Sequence, residues 1–486
     1  MPTRDAARLA GQWTGAAAAI LVFAVATRTI ADPDLWGHLR FGLDTVHARA
    51  IGDVYPYAFT QDRPWINHEW LAEVQMALAH LAGGAAGLAL LKGTIVFATL
   101  LVVWSGLRGV DVAVRLVTIG LMVVGTGSIT TTLRPQLWSL LFLAMLCRTL
   151  VSDQSGRRRW LPGLFALWAN VHGGWIVGLG VLCIWLGAEA WSHRDRLVER
   201  VVIALACLLA TLITPYGTSL WRFLMETVRL TRDVTEWQPL WTLPPANWLP
   251  WVVALAAAVF MLSRPSAHRL PVAGVLGMLA YSSVRVSRIA PLFVVAAAVL
   301  LAPLFRRAGP AARNNLLEGV RHAPAALGVA AMMLAAVGVW QASSSLRCIR
   351  VIGPWVPEPA AVRMLRDAPP GRLVSFFNWG EYAIWHLGPR IRVSFDGTRE
   401  TVYSEERLAE HDAILAGRPD GIRALESWQA EYVWLPARSV ATKDWLADNG
   451  YRIELDRQDS FVAVRNDLPP LTQPEEPLAG SRCFPD

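Results

Sequence analysis

Two carboxylates, Asp32 and Asp34, stand two residues apart in "IADPDLWGHLRFG", directly behind an apolar run, and His68 and Glu69 follow in the same polar stretch. Carboxylates and imidazoles gathered in one loop make either a ligand set for a hard cation or a proton-accepting group that activates a hydroxyl in a partly dehydrated cleft. An Asp-x-Asp pair also serves simply to end a helix and keep its tip wet, so that plainer role stays open. Three arginines give the complementary signal. Arg134 in "GTGSITTTLRPQ", and Arg285 and Arg288 in "SSVRVSRIA", each abut strongly apolar sequence. A guanidinium there is costly unless it snorkels to the headgroups or meets an anion. The anion expected is phosphate, which arginine grips with two parallel hydrogen bonds. His172 in "WANVHGGW" either caps a helix break or donates to a phosphate oxygen, with the paired glycines allowing close approach. Glu236-Trp237 offers an acid for a sugar's edge and an indole for its face, or else closes a loop.

Such residues need elements to hold them, and composition says which kind. Of 486 residues, 54% are hydrophobic and 17% charged, against about 45–50% and about a quarter in soluble domains. Mean hydropathy is +0.35. Leu, Val and Ala fill repeated runs of about 15–22 residues, near the length that crosses a hydrocarbon core. Several of the 23 tryptophans sit at run ends, at Trp13, Trp36, Trp104, Trp160, Trp191 and Trp251, where an indole suits the headgroup layer. A soluble globular protein is thereby excluded. The first run has no convincing cleavage site, because Asp32-Pro33-Asp34 follows it directly, and it reads as a retained span.

The expected fold is an α-helical polytopic membrane protein of about eleven spans, near residues 14–31, 85–105, 112–128, 136–151, 160–171, 174–191, 197–214, 248–262, 270–283, 289–304 and 325–342. Residues 160–191 read as one overlong helix or as two broken at Asn170 to Gly174. Two spans place the basic loops at 108–115, 157–159, 194–200, 264–269 and 306–313 all inside, as the positive-inside rule asks, and one span does not. The amino end is then cytoplasmic, and the polar residues singled out above all fall on the outer face. The outer loop 32–84 carries "RPWINHEWLAEVQMALAHLAGG", with Asn67 as cap, Leu71, Val74, Leu78 and Leu81 at helical spacing, and Gly83-Gly84 as a stop. It reads as an interface helix. The aromatics of "YPYAFT" suit an interface or a sugar ring.

Residues 1–343 therefore form a membrane domain, 344–371 a linker, 372–466 a small extracytoplasmic α/β domain, and 467–486 a disordered, proline- and acid-rich tail. In the α/β domain, strands are expected near 373–377, 391–395 and at "EYVWLP". A hairpin is expected around Gln458-Asp459 and helices near 381–387, 403–416 and 440–449. Asn378, Trp379, Glu381 and Asp396 are its contact candidates, each with an equal claim to a cap or turn. Cys348 and Cys483 both fall outside and can pair in an oxidising compartment.

The motifs Asp32-Pro33-Asp34, Trp65-x-Asn67-His68-Glu69-Trp70, Arg134-Pro135-Gln136, Asn170-Val171-His172-Gly173-Gly174 and Thr214-Pro215-Tyr216-Gly217 resemble those of a bacterial multispan branch of the GT-C superfamily. Members of that superfamily are integral-membrane glycosyltransferases that use polyprenyl-phosphate sugars. Phe377-Asn378-Trp379-Gly380 and Phe395-Asp396-Gly397 fit the same branch, and the resemblance runs from residue 14 to about 466. It implies a donor lipid phosphate in a membrane cleft beneath the first outer loop and inversion at the anomeric carbon. Asp32 or Asp34 is then base or metal ligand, with Asp34 the base. Arg134, His172, Arg285 and Arg288 hold the phosphate as charge builds on the leaving group. Glu236, Trp237, Asn170 and Tyr216 are the sugar or acceptor contacts. Asp32, His68 and Glu69 hold Mg²⁺ or Mn²⁺, or His68 and Glu69 pair as supporting groups. Implied partners are a polyprenyl-phosphate-linked sugar, membrane lipids and an outer acceptor, with no nucleic acid. The implied location is the bacterial inner membrane. A non-catalytic protein that binds, flips or scaffolds a lipid-linked glycan is the alternative, and it needs the arginines but no base at Asp34.

Overall fold

Apolar runs rich in Leu, Val and Ala satisfy their backbone internally and so become helix along most of the chain. The computed structural model describes residues 4–152, 155–192, 194–227, 234–264, 269–308, 324–352, 359–472 and 482–486. Among these, five helices are long and apolar enough to cross a membrane: Trp70–Gly106, Trp175–Ser192, Pro245–Leu262, Ser287–Arg306 and Gly328–Arg347. Shorter apolar helices occupy Gln12–Ala26, Val112–Gly125 and Gln136–Leu150. The chain is thus a largely helical, multi-pass membrane protein with a C-terminal α/β region. Lengths alone qualify fewer spans than the eleven expected. Of the expected basic loops, residues 265–268 and 309–313 lie outside the described residues, while Arg264, Arg269, Arg306 and Arg307 are described.

The chain divides into two compact units, one formed by Met1–Thr29 with Gly83–Cys348 and the other by Ile30–Ala82 with Ile349–Asp486. In the first, every residue of the helix Ala290–Leu300 is buried. It packs against the helices Val112–Gly125, Gln136–Leu150, Pro245–Leu262 and Arg269–Arg285, as an all-round apolar helix must. The helix Arg4–Ala26 runs along Pro324–Arg347. Val202, Leu209, Met332, Val339 and Trp340 are left exposed, a liability in water and the expected outer surface in hydrocarbon.

Residues 160–191 form two helices, Leu161–Ala169 and Trp175–Ser192. Arg158, just ahead of the first, is bidentate to Glu189 near the end of the second at 2.7 Å for both bonds. Arg200 adds a third contact to Glu189 at 3.4 Å. That ion pair closes a hairpin whose opposite end is the Asn170–Gly174 break.

The second unit is built on a five-stranded sheet of order β4-β3-β5-β7-β6, with β3 Gly371–Ser375, β4 Ile391–Val393, β5 Tyr432–Pro436, β6 Tyr451–Asp456 and β7 Ser460–Arg465. Strands β4, β3 and β5 are parallel, and β7 and β6 close the sheet as an antiparallel hairpin. Helices Phe377–Leu387, Glu405–Leu415 and Val440–Asp448 fall near their expected places, and Pro419–Trp428 is an additional one.

The segment 30–82, expected within the membrane domain, clusters instead with this sheet. Tyr57 O accepts from Val393 N–H at 2.9 Å and Phe59 N–H donates to Val393 O at 3.1 Å. The "YPYAFT" aromatics are therefore core: Tyr55 and Tyr57 are buried against Phe41 and Trp65. The helix from Trp70 changes direction at Gly83 and Gly84, where Gly84 adopts φ 56°, the stop the paired glycines suggested.

A small sheet joins β1 (Ile30–Ala31) to β2 (Arg350–Val351) and β2 to β8 (Arg482–Cys483). Two expectations change here. The linker 344–371 contains β2 and a buried helix Ala360–Leu365, because Ala, Val, Met and Leu there can bury; its residues 353–358 lie outside the described set. The tail 467–486 is not disordered at 482–486. Phe484 is buried and packs on Trp36 and Trp385, and Pro485 O accepts the Trp36 indole N–H at 2.7 Å. Residues 473–481 of the tail lie outside the described set. Cys348 and Cys483 are disulfide-bonded, while Cys147, Cys183 and Cys207 are free thiols.

Candidate functional site

The sequence scattered its four anion-binding candidates over three loops, and the first unit gathers three of them. Arg134 precedes Pro135, which sets the start of the helix Gln136–Leu150. His172 lies in the break after Leu161–Ala169, and Arg288 in the short turn before Ala290–Leu300. Glu236 joins them: Arg134 Nη1 donates to its Oε1 at 3.0 Å, and Arg288 Nε lies 3.6 Å from its Oε2. Arg288 Nη2 is also 3.5 Å from His172 Nε2 and its guanidinium lies over the Trp237 ring.

The segment bearing Glu236 is pinned by Ser287, whose Oγ donates to Glu236 O and whose N–H donates to Gln238 O, both at 3.0 Å. Burial alone would raise the Glu236 pKa, but Arg288 and Arg134 hold it below the ordinary carboxylate value. Glu236 is therefore the counter-ion of a half-buried cationic pocket. Clustered guanidiniums beside apolar sequence can hold a phosphate.

The other sequence candidates in this unit have different surroundings. Arg285 ends its helix exposed and outside the network just described. Asn170 is buried, and its amide nitrogen donates to Ala166 O at 2.8 Å and Ile213 O at 2.7 Å, tying two helix ends together. Tyr216 belongs to a turn in which Thr214 Oγ1 accepts from the Tyr216 and Gly217 N–H groups. Ser139 was missed. Its hydroxyl lies 2.7 Å from His172 Nδ1, and a serine inside an apolar helix three residues after Gln136 is the only trace the sequence gives of it.

The second unit holds the acids. Asp34 is the first residue of the helix Asp34–Ala48. A Cβ on Gly397 would collide with both Asp34 Oδ1 and Glu381 Oε1, and one on Gly37 would collide with Glu381. Glycine at both positions thus lets two carboxylates approach one backbone, and Gly37 N–H donates to Glu381 Oε2 at 3.2 Å. Glu381 is 3% exposed and Asp396 1%. Burial raises the Asp396 pKa, opposed by hydrogen bonds from Thr398 and Tyr403. The Tyr403 hydroxyl donates to it at 2.7 Å and Thr398 N–H at 2.8 Å. Asp396 is thereby committed to the fold.

One turn beyond Asp34, His38 Nδ1 lies 3.0 Å from Glu73 Oε1, whose other oxygen accepts from Asn67. Gly42 lets the backbone of Glu73 press against this helix. Glu69 lies between two imidazoles, 3.7 Å from His68 Nε2 and 3.9 Å from His38 Nε2. No three described His, Cys, Asp or Glu side chains converge as a metal ion requires. The Mg²⁺ or Mn²⁺ expected at Asp32, His68 and Glu69 thus has no formed donor set among the described residues, and no step below is routed through it.

Burial lowers the His38 pKa, but the Glu73 hydrogen bond and the charges of Glu69, Glu73 and Asp32 raise it overall. A folded-state value above the unfolded one gives stabilisation that is complete below the unfolded value of about 6.5 and is lost as pH rises through the folded value. His38→Gln is therefore expected to lower the melting temperature most near about pH 6 and least near about pH 9. A melting-temperature gap that fails to shrink in alkaline buffer would rule out an imidazolium at this position.

No protein-family model matches the sequence, and no curated protein matches it. Solved structures do. The archaeal oligosaccharyltransferase AglB from Archaeoglobus fulgidus, in complex with an inhibitory peptide and a dolichol-phosphate, is similar with a TM-score of 0.59 at 11% identity, over 90% of this chain and 70% of that one. ArnT from Cupriavidus metallidurans bound to undecaprenyl phosphate gives a TM-score of 0.50 at 11% identity, over 93% and 97% of the two chains. Its apo state gives 0.50 at 12% identity, over 92% and 96%. At these identities the likeness is one of fold alone.

Proposed function

We propose that the protein is a glycosyltransferase of the outer face of the bacterial inner membrane. In this reading it moves a sugar from a polyprenyl-phosphate donor to an extracytoplasmic acceptor, with inversion at the anomeric carbon. The observation that carries the reading is the convergence of Arg134 and Arg288 on the Glu236 carboxylate, with His172 beside Arg288, in a chain whose fold resembles proteins solved with dolichol-phosphate and undecaprenyl phosphate.

The arginines take the phosphate in exchange for Glu236 and stabilise the charge that develops when the glycosidic bond to it breaks. Trp237, beside Arg288, offers a face for the sugar ring. Asp34 is the proposed acceptor of the attacking hydroxyl's proton. The disulfide-bonded state of Cys348 and Cys483 supports an oxidising, extracytoplasmic location for these residues. The basic clusters on the expected inner loops support a cytoplasmic amino end.

The test is mass spectrometry of lipids extracted from the purified protein, with binding of added farnesyl phosphate measured in parallel. A polyprenyl phosphate is expected to co-purify. Failure to find one, together with no binding of farnesyl phosphate above that of farnesol, would end this reading.

A further inference from the structure

We infer that His172 serves the cationic pocket as a neutral hydrogen-bond donor through Nε2–H, and that Ser139 is the positioning residue that fixes its tautomer; the inference rests on the phosphate reading just given. The main-chain N–H of Gly174 donates to His172 Nδ1 at 3.0 Å. A backbone N–H has only a hydrogen to offer, so Nδ1 is an acceptor and the neutral ring carries its proton on Nε2. Ser139 Oγ approaches the same nitrogen at 2.7 Å. That oxygen already accepts the Trp168 indole N–H at 2.7 Å, so the serine's own proton is directed at Nδ1. Two donors on one ring nitrogen also disfavour the doubly protonated imidazolium, which leaves the positive charge of the pocket to Arg134 and Arg288.

The approach is possible because residue 174 is glycine. A Cβ there would collide with both Ser139 Oγ and His172 Nδ1. Across the ring, Nε2 faces Arg288 Nη2 at 3.5 Å. Both groups are donors in this tautomer, so neither satisfies the other, and two N–H groups directed at one place call for an anionic oxygen. Glu236 is the oxygen acceptor the chain supplies there; a phosphate is the one a lipid would supply. His172 then adds a directed hydrogen bond without adding charge, which a third arginine would not do.

The test uses full-length protein in lipid nanodiscs with ¹⁵N-labelled histidine, the His172 resonances being identified by their loss in His172→Gln. The wild type is expected to show the Nε2–H tautomer, and Ser139→Ala a mixture of the two. Farnesyl phosphate binding is expected to weaken about tenfold in Ser139→Ala, the loss of one well-placed hydrogen bond. The amide nitrogen of glutamine stands near the position of Nε2 and that of asparagine near Nδ1. His172→Gln is therefore expected to stay within about threefold of wild type and His172→Asn to lose about tenfold or more.

These two variants keep the test decisive if Ser139→Ala proves unstable in a thermal melt. An Nδ1–H tautomer in the wild type, or equal binding by His172→Asn and His172→Gln, overturns the inference while leaving the phosphate site standing. The Nε2–H tautomer in a protein that binds no farnesyl phosphate overturns the donor role and the phosphate reading together.

Discussion

Asp34→Asn is expected to bind farnesyl phosphate as tightly as the wild type and to transfer sugar about 10²–10⁴-fold more slowly, the range that a positioned general base contributes. The substitution is nearly isosteric, so the close approach of Asp34 to Gly397 and Glu381 is preserved and the helix start is not disturbed. What it removes is proton affinity. Binding should survive because the cationic pocket is formed from other segments, at Arg134, His172 and Arg288. The measurement is a pair of numbers on one preparation, the dissociation constant and the turnover of a polyprenyl-phosphate sugar. Unchanged turnover would remove Asp34 as base, whereas binding without transfer by the wild type itself would favour the binding, flipping or scaffolding alternative. Loss of both numbers together would make Asp34 a structural residue.

Arg288→Ala is expected to act on the other number. Arg288 touches Glu236, His172 and the Trp237 ring, and its removal leaves the Glu236 carboxylate to Arg134 alone. Truncating one partner of a partly buried charged pair costs about 2–5 kcal/mol, so affinity for farnesyl phosphate should fall by a factor on the order of 10². Farnesol binding should hardly change, since the alcohol lacks the charge. Arg285→Ala is the matched control: an exposed arginine at a helix end, outside the network, should alter affinity by less than about threefold. Should Arg285→Ala match Arg288→Ala, the phosphate is held elsewhere than at Glu236.

The parts of this molecule legible in its sequence are those decided by local rules. Periodicity and punctuation located the hairpin at Asn170–Gly174 and the turn in direction at Gly83-Gly84, because a helix in hydrocarbon tolerates few alternatives. The strands near 373–377 and 391–395 and the hairpin around Gln458-Asp459 were readable from β-branched and apolar runs bounded by turn residues, though their parallel pairing was not. The arginines were readable as a set because each is expensive where it sits.

What the sequence hid was long-range. Residues 30–82 join a sheet more than 300 residues away through the backbone of Tyr57 and Phe59, which no side-chain pattern announces. Glu73, the partner of His38, looked like an ordinary polar position on an interface helix. Glu236 reads from the sequence as a sugar contact or a loop closure, and its ion pairs with Arg134 and Arg288 form only when three distant segments are brought together. Ser139 is one hydroxyl in an apolar run, and its significance lies in the missing Cβ of Gly174.

The carboxylate of Glu236 gives the pocket a resident anion. Two guanidiniums crowded at a membrane surface would repel each other whenever their guest left, and the departing lipid would be drawn back by that unrelieved charge. On the proposed reading, a tethered acid ready to step in makes arrival and departure of the carrier a swap between two anions of similar strength. Spent carrier would then leave without exposing a bare knot of positive charge.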